Sequence, residues 1–203
     1  MLPMQILGKT NLEFRLLNDS DYEKLQEFCD KCLSLGWENN STFQSIKLDK
    51  MAMPYGQFFI GYDLDKDIIF NLAGVHHLPE ISANAWRCLF RGAQLPGYSI
   101  TKNFTKNIFK TGYQLSYMLP MQLEFIKNYN SIAEFYMSTN NQFTNKDTAG
   151  KSKRMDIVMS NTLAVSGVLE KYYEDFELFN TRQTIWKLNE KKYYSERLIH
   201  VGS

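Results

Sequence analysis

Ala85-Trp86-Arg87-Cys88-Leu89-Phe90-Arg91-Gly92-Ala93 runs directly into Gln94-Leu95-Pro96-Gly97-Tyr98-Ser99, and this junction decides how the chain is read. The first nine residues mix apolar and aromatic side chains with interleaved polar ones, which suits a half-buried strand. Pro96-Gly97 ends it, because proline removes a backbone donor and glycine admits positive φ. Beyond the turn, Ile100, Phe104 and Ile108 recur at every fourth position until Gly112, the period of a helix. A strand, a small-residue turn and a helix in that order aim backbone amides at an anion, and the helix dipole favours the negative charge.

Upstream, Gly56–Tyr62 and Ile68–His76 alternate with period two around the polar turn Asp63–Asp67, and Pro79–Asn84 makes a second turn. Residues 56–93 therefore read as a three-strand antiparallel meander. Leu12–Leu17 reads as a first strand. Ser20-Asp21-Tyr22-Glu23 has capping-box spacing, followed by Tyr22, Leu25, Cys29, Cys32 and Leu33 at helical intervals, with Gly36 as the stop. A second capping box at Ser41-Thr42-Phe43-Gln44 opens a short helix that ends by Pro54.

Downstream, Pro120 suits the first turn of a helix that buries Leu123 and Ile126. Ile132–Met137 reads as a strand, Ser138 to Ser152 as a polar loop, and Met155, Val158, Met159, Thr162 and Leu163 as a helical stripe ending near Gly167. Phe176 to Asn189 reads as one or two strands. The order β-α-α-β-β-β-α-α-β-α-β(-β) implies an α/β (α+β) fold: a mixed, mostly antiparallel sheet with helices on both faces. No repeat or linker divides the chain, so residues 1–203 are expected to form one domain.

Composition narrows the function classes. Hydrophobic residues at 44% and charged residues at 22% support an ordinary core. A net charge of +1 offers no long-range attraction to a polyanion, which argues against a nucleic-acid partner. Three cysteines form no disulfide framework, and reduced thiols fit a cytoplasmic setting. Residues 1–7 lack the basic and apolar regions of a signal peptide, and no apolar run is long enough to cross a membrane.

The element order and the placed turn resemble the GNAT superfamily of acyl-CoA-dependent N-acetyltransferases over most of the chain. That family's pattern at this junction is Gln/Arg-x-x-Gly-x-Gly/Ala; here Gln94 and Gly97 match and Ser99 departs. The resemblance implies acetyl-CoA (acyl-CoA) as cofactor. Its pyrophosphate would be held by Gln94, Gly97, Tyr98 and Ser99, and its pantetheine arm by the strand around Leu89. Arg87 and Arg91, at i and i+4 on a strand, share one face; Arg91 stands close enough to the turn to pair with an anionic group, an ordinary salt bridge on the sheet face being the alternative. The implied partners are a CoA thioester and an amine acceptor; a homodimer is compatible with this reading. Two departures bear on activity. Residues 100–129 hold about two helices where the family has one, and Met155 to Val165 lacks the tyrosine that protonates the leaving thiolate. A non-catalytic interaction module on the same fold is the alternative.

His76 and Glu80 are the candidate bases. In the resembling fold this region approaches the acceptor side of the cleft, where a neutral imidazole, or a carboxylate acting through water, takes a proton from an amine. An ordinary structural histidine and a solvated turn glutamate are the alternatives. Cys29-Asp30-Lys31-Cys32 has redox-motif spacing but lies in mid-helix, where packing explains it better. The basic residues Lys146, Lys151, Lys153 and Arg154 could hold a cofactor phosphate or simply face solvent.

Overall fold

The structure is a computed structural model that describes residues 11–36, 43–53, 55–98, 113–140, 144–146, 152–154 and 159–201. Seven strands form one sheet in the order β1-β2-β3-β4-β5-β9-β8. They are β1 (Leu12–Leu16), β2 (Gln57–Asp63), β3 (Ile68–His77), β4 (Ala85–Gln94), β5 (Glu134–Asn140), β8 (Leu169–Leu178) and β9 (Thr181–Leu188). Every neighbouring pair is antiparallel except β4 and β5. The meander and the mixed sheet follow the expectation from sequence.

Helices cover both faces. On one face lie α1 (Tyr22–Ser34) and α2 (Phe43–Ala52), burying Leu25, Phe28, Cys29, Cys32 and Ile46 against Phe58, Ile60, Ile69, Leu72 and Phe90. On the other, a π turn (Gln114–Met118) runs into α3 (Leu119–Tyr129), whose Leu119, Leu123 and Ile126 pack with Phe14, Phe59, Phe70 and Trp86. Each such fully buried large side chain contributes about 2 kcal/mol of transfer free energy. The strand alternation at Phe58, Phe59 and Ile60 deals successive side chains to opposite cores.

Local differences from the sequence reading have identifiable causes. The first helix is capped earlier than expected: Asn18 accepts from the Ser20 amide, and the Asp21 carboxylate accepts from the Asn18 amide at 2.9 Å. Asp21 wins over the Ser20–Glu23 box because Arg15 also grips it. The expected loop 138–152 is partly ordered into strand. β5 continues to Asn140, and β6 (Thr144–Lys146) pairs antiparallel with β7 (Ser152–Arg154). β8 begins at Leu169, well before Phe176, and its middle is exposed, as befits a charged edge strand without period-two burial. A C-terminal helix, α4 (Glu190–Val201), was not expected; Asn189 caps it by accepting from the Lys192 amide at 3.0 Å. Its Tyr193 is buried and donates to the Leu115 carbonyl. The expected helix over 100–112 and the residues 155–158 lie outside the described residues. Among the described residues, no helix is long and apolar enough to cross a membrane.

Candidate active site

β4 and β5 pair over three residues only: Ala85 with Glu134, Trp86 with Phe135 and Arg87 with Tyr136. Beyond them β4 remains paired with β3 up to Gln94, while β5 continues against β9 up to Asn140. The sheet therefore splits at Arg87/Tyr136 and opens toward the C-terminal ends of both strands. The edge of β4 that faces the gap is irregular. Its register against β3 slips twice, and Leu89 and Arg91 both adopt positive φ, at 53° and 51°. Two bulges with non-glycine residues in this region cost free energy and cluster at functional sites.

Orphaned polar atoms concentrate around the same strand. Among the described residues, the buried side-chain atoms without a hydrogen-bond partner are His76 Nε2, Trp86 Nε1, Arg87 Nη1, Gln114 Oε1 and Gln122 Nε2. Trp86 and Arg87 belong to β4, and His76 is the register partner of Arg87. Gln122 accepts from the Leu89 amide at 2.9 Å, and Gln114 donates to the Ala93 carbonyl at 3.1 Å. Native interiors leave few such atoms unmet, so five on or around β4 call for partners that the described residues do not supply.

The turn after β4 is shaped as the sequence implied at Gly97, which has φ of 88° and open space around a would-be Cβ. Gln94 Nε2 donates to the Tyr98 carbonyl at 2.6 Å and so closes the turn. Among the described residues, no acceptor is bonded to the Gly97 or Tyr98 amide. Tyr98 itself turns away from the gap: its ring stacks on Phe70 at 4.2 Å and its hydroxyl donates to Asp63 at 2.6 Å. Ser99 and the basic cluster's side chains lie outside the described residues. Arg91 is held by Asp49 of α2 in an ion pair.

The two candidate bases are not brought together. Glu80 is exposed in the turn between β3 and β4, at the closed end of the split. His76 is buried at the level where the strands part. Its Nδ1 donates to the His77 carbonyl at 2.7 Å, which leaves the lone pair on Nε2. Burial, then the charge of Arg87, pushes His76 down to about 3, so the ring is neutral at physiological pH. Arg87 was noted in the sequence only as sharing a face with Arg91. Its burial, the strongest signal at the site, arises from tertiary packing. Cys29 and Cys32 are core residues whose thiols burial pushes up to about 12, so neither is poised as a thiolate at neutral pH. Among the described residues, no group of histidine, cysteine and carboxylate side chains could hold a metal.

No protein-family model and no curated protein matches the sequence. Solved structures do. An acetyltransferase of the GNAT family from Staphylococcus aureus Mu50 superposes with a TM-score of 0.52 at 16% identity, covering 88% of this chain and 99% of that one. The chain has the GNAT fold. Escherichia coli ElaA matches at TM-score 0.52 and 11% identity, over 88% of this chain and 99% of its own. FeeM, an N-acyl amino acid synthase from uncultured soil microbes, matches at TM-score 0.57 and 8% identity, over 96% and 98%. Identities this low show architecture alone.

Proposed function

We propose that the chain is an N-acyltransferase that moves an acyl group from a CoA thioester to an amine. The observation that carries this reading is the split of β4 from β5 after Arg87, lined by orphaned polar atoms. A pantetheine arm lying along the bulged edge of β4 would find the Leu89 region and the unpaired Gln122 amide. The diphosphate would meet the open turn at Gln94 and Gly97, with Tyr98 bracing that turn against Phe70 and Arg91 adding positive charge nearby. These residues fit the cofactor in chemistry: amide donors for anions, and a bare glycine where a close approach is needed. CoA, when bound, supplies the activated acyl carbonyl.

The chain's own residues then orient the acceptor. His76 is favoured over Glu80 for that role, because it is buried at the level where the strands part and its Nε2 has no partner among the described residues; pushed down to about 3, it accepts a hydrogen bond from the amine rather than storing its proton. Exclusion of water around His76 protects the thioester from hydrolysis.

Calorimetry with acetyl-CoA tests the reading. Binding in the micromolar to millimolar range is expected, with a loss of at least tenfold in Gly97→Trp. Gly36→Trp is the control, since Gly36 also has positive φ and open surroundings but ends α1 far from the split. No binding at millimolar acetyl-CoA would remove the proposal.

A further inference from the structure

His76 and Arg87 face one another across β3 and β4, and both lie on the side of the sheet away from α3. The Arg87 guanidinium lies 4.6 Å from the Phe90 ring centre and 5.9 Å from that of Phe179; the His76 ring lies 5.0 and 5.7 Å from the same two rings. Arg87 is only 8% exposed. Its Nη2 donates to Gln183 Oε1 at 3.0 Å, an oxygen that also accepts from Ser138 at 2.6 Å. Its Nη1 meets nothing among the described residues. The carboxylate that acts on it, Asp49, is engaged by Arg91.

Among the described residues no carboxylate is bonded to Arg87, and a buried guanidinium left unpaired is strongly destabilising, a cost that an apolar residue of similar volume would avoid. The guanidinium's presence here calls for an anion that arrives with a ligand. Beside it, His76 Nε2 is a buried acceptor lacking a donor. The pair is a cationic donor next to a neutral acceptor. Its complement is a carboxylate next to an N–H group, as on an α-amino acid. The cofactor's own phosphates are a poor alternative source of the anion. Gln94 stands seven positions beyond Arg87 on β4, about 20 Å away at the rise of a strand with two bulges.

We infer that the acceptor is an amino acid, its carboxylate bound by Arg87 Nη1 and its amine directed at His76 Nε2. This rests on the acyltransferase reading and names the substrate class of that same site. Phe179, at the tip of the β8–β9 hairpin and 44% exposed, covers the pair, and a side-chain rotation there would admit the acceptor. In the transfer, the amine lone pair forms a C–N bond with the thioester carbonyl and the C–S bond breaks. The amine, hydrogen-bonded to Nε2, gives up one proton to the departing sulfur, leaving an N-acyl amino acid and free CoA thiol.

The test uses the full chain with acetyl-CoA and the common α-amino acids, each set against its decarboxylated amine. Thiol release reports transfer, and calorimetry with CoA present reports acceptor binding. At least one amino acid should exceed its amine tenfold in kcat/KM. Arg87→Met should lose at least tenfold on that acid, keep its acetyl-CoA affinity within about twofold, and melt no lower than the parent. Arg87→Lys, which keeps the charge without the fork, should recover part of the loss. Equal use of the decarboxylated amine, indifference to Arg87→Met, or acceptance of other amines but no amino acid would overturn the proposal. Amino acids that bind through Arg87 without thiol release would uphold the carboxylate site and overturn the transferase reading instead. Absence of both acetyl-CoA and amino-acid binding would overturn both.

Discussion

Gln122 reaches from α3 to the backbone of Leu89 and accepts its amide hydrogen at 2.9 Å. This bond stands where β5 would have served β4 had the two strands stayed paired, so a helix side chain keeps a buried amide satisfied in the split sheet. Gln122→Ala should therefore lower stability by about 1–3 kcal/mol, the cost of an unmet buried donor, measured by urea denaturation. The same substitution should weaken acetyl-CoA binding severalfold in calorimetry, because the unpaired Gln122 Nε2 that would meet the pantetheine arm is removed. Unchanged or tighter binding would argue that Gln122 serves only the Leu89 amide.

Arg15 grips Asp21 through two bonds of 2.6 Å each, which ties β1 to the start of α1. Burial alone would raise the Asp21 carboxyl, but the Arg15 hydrogen bonds and the Asn18 amide hold it below its usual range. A carboxyl lowered on folding contributes stability that is complete above its unfolded pKa and fades as pH falls through the folded one. Asp21→Asn should cost about 2 kcal/mol at pH 7. Its acid limb below about pH 4 should be shallower than that of the parent, since the titrating group is gone. A parallel acid limb would sink this assignment.

His76 titrates in the opposite chemical sense with the same linkage sign. Its folded value of about 3 lies below the ordinary 6.5, so the unfolded chain binds more protons between those limits. Stability from keeping His76 neutral is complete above about pH 6.5 and declines as pH falls toward about 3. Between pH 7 and 5 this group alone should remove about 2 kcal/mol in paired urea titrations, at 1.36 kcal/mol per unit. His76→Gln should show a correspondingly smaller drop over that interval.

Gly74 in β3 lies beneath the Phe58 ring. A Cβ there would sit 2.8 Å from Phe58 Cε1, and Phe58 is fully enclosed in the core formed with α1 and α2. Gly74→Ala should destabilise by about 1–3 kcal/mol through overpacking, read as a fall in Tm. Adding Phe58→Leu should recover part of that loss; strict additivity of the two changes would show that the contact is not the cause.

Much of the architecture was legible because it is written in local periods. The meander over 56–93 follows from alternation and from polar turns, and α1 follows from its apolar stripe and the Gly36 stop. Leu169–Leu178 was hidden because an edge strand exposed in its middle has no buried face to impose period two. The C-terminal helix was hidden because its anchor, Tyr193, is paired with Leu115, a contact between residues far apart in the chain. At the site, the sequence drew attention to His76 and to the turn at Gly97. It did not mark Gln122 or the burial of Arg87.

The meander of β2, β3 and β4, the helices α1 and α3, the glycine at the turn after β4, and the lack of strong charge or a disulfide framework were determined by the sequence alone. Propensity, period and composition act over a few neighbouring residues, and these features need nothing more. The parting of β4 from β5, the positive φ of Leu89 and Arg91, and the burial of a guanidinium beside a neutral imidazole were decided only in the folded chain. Each depends on which strands meet and for how long, and on what remains to satisfy a donor once water has been excluded.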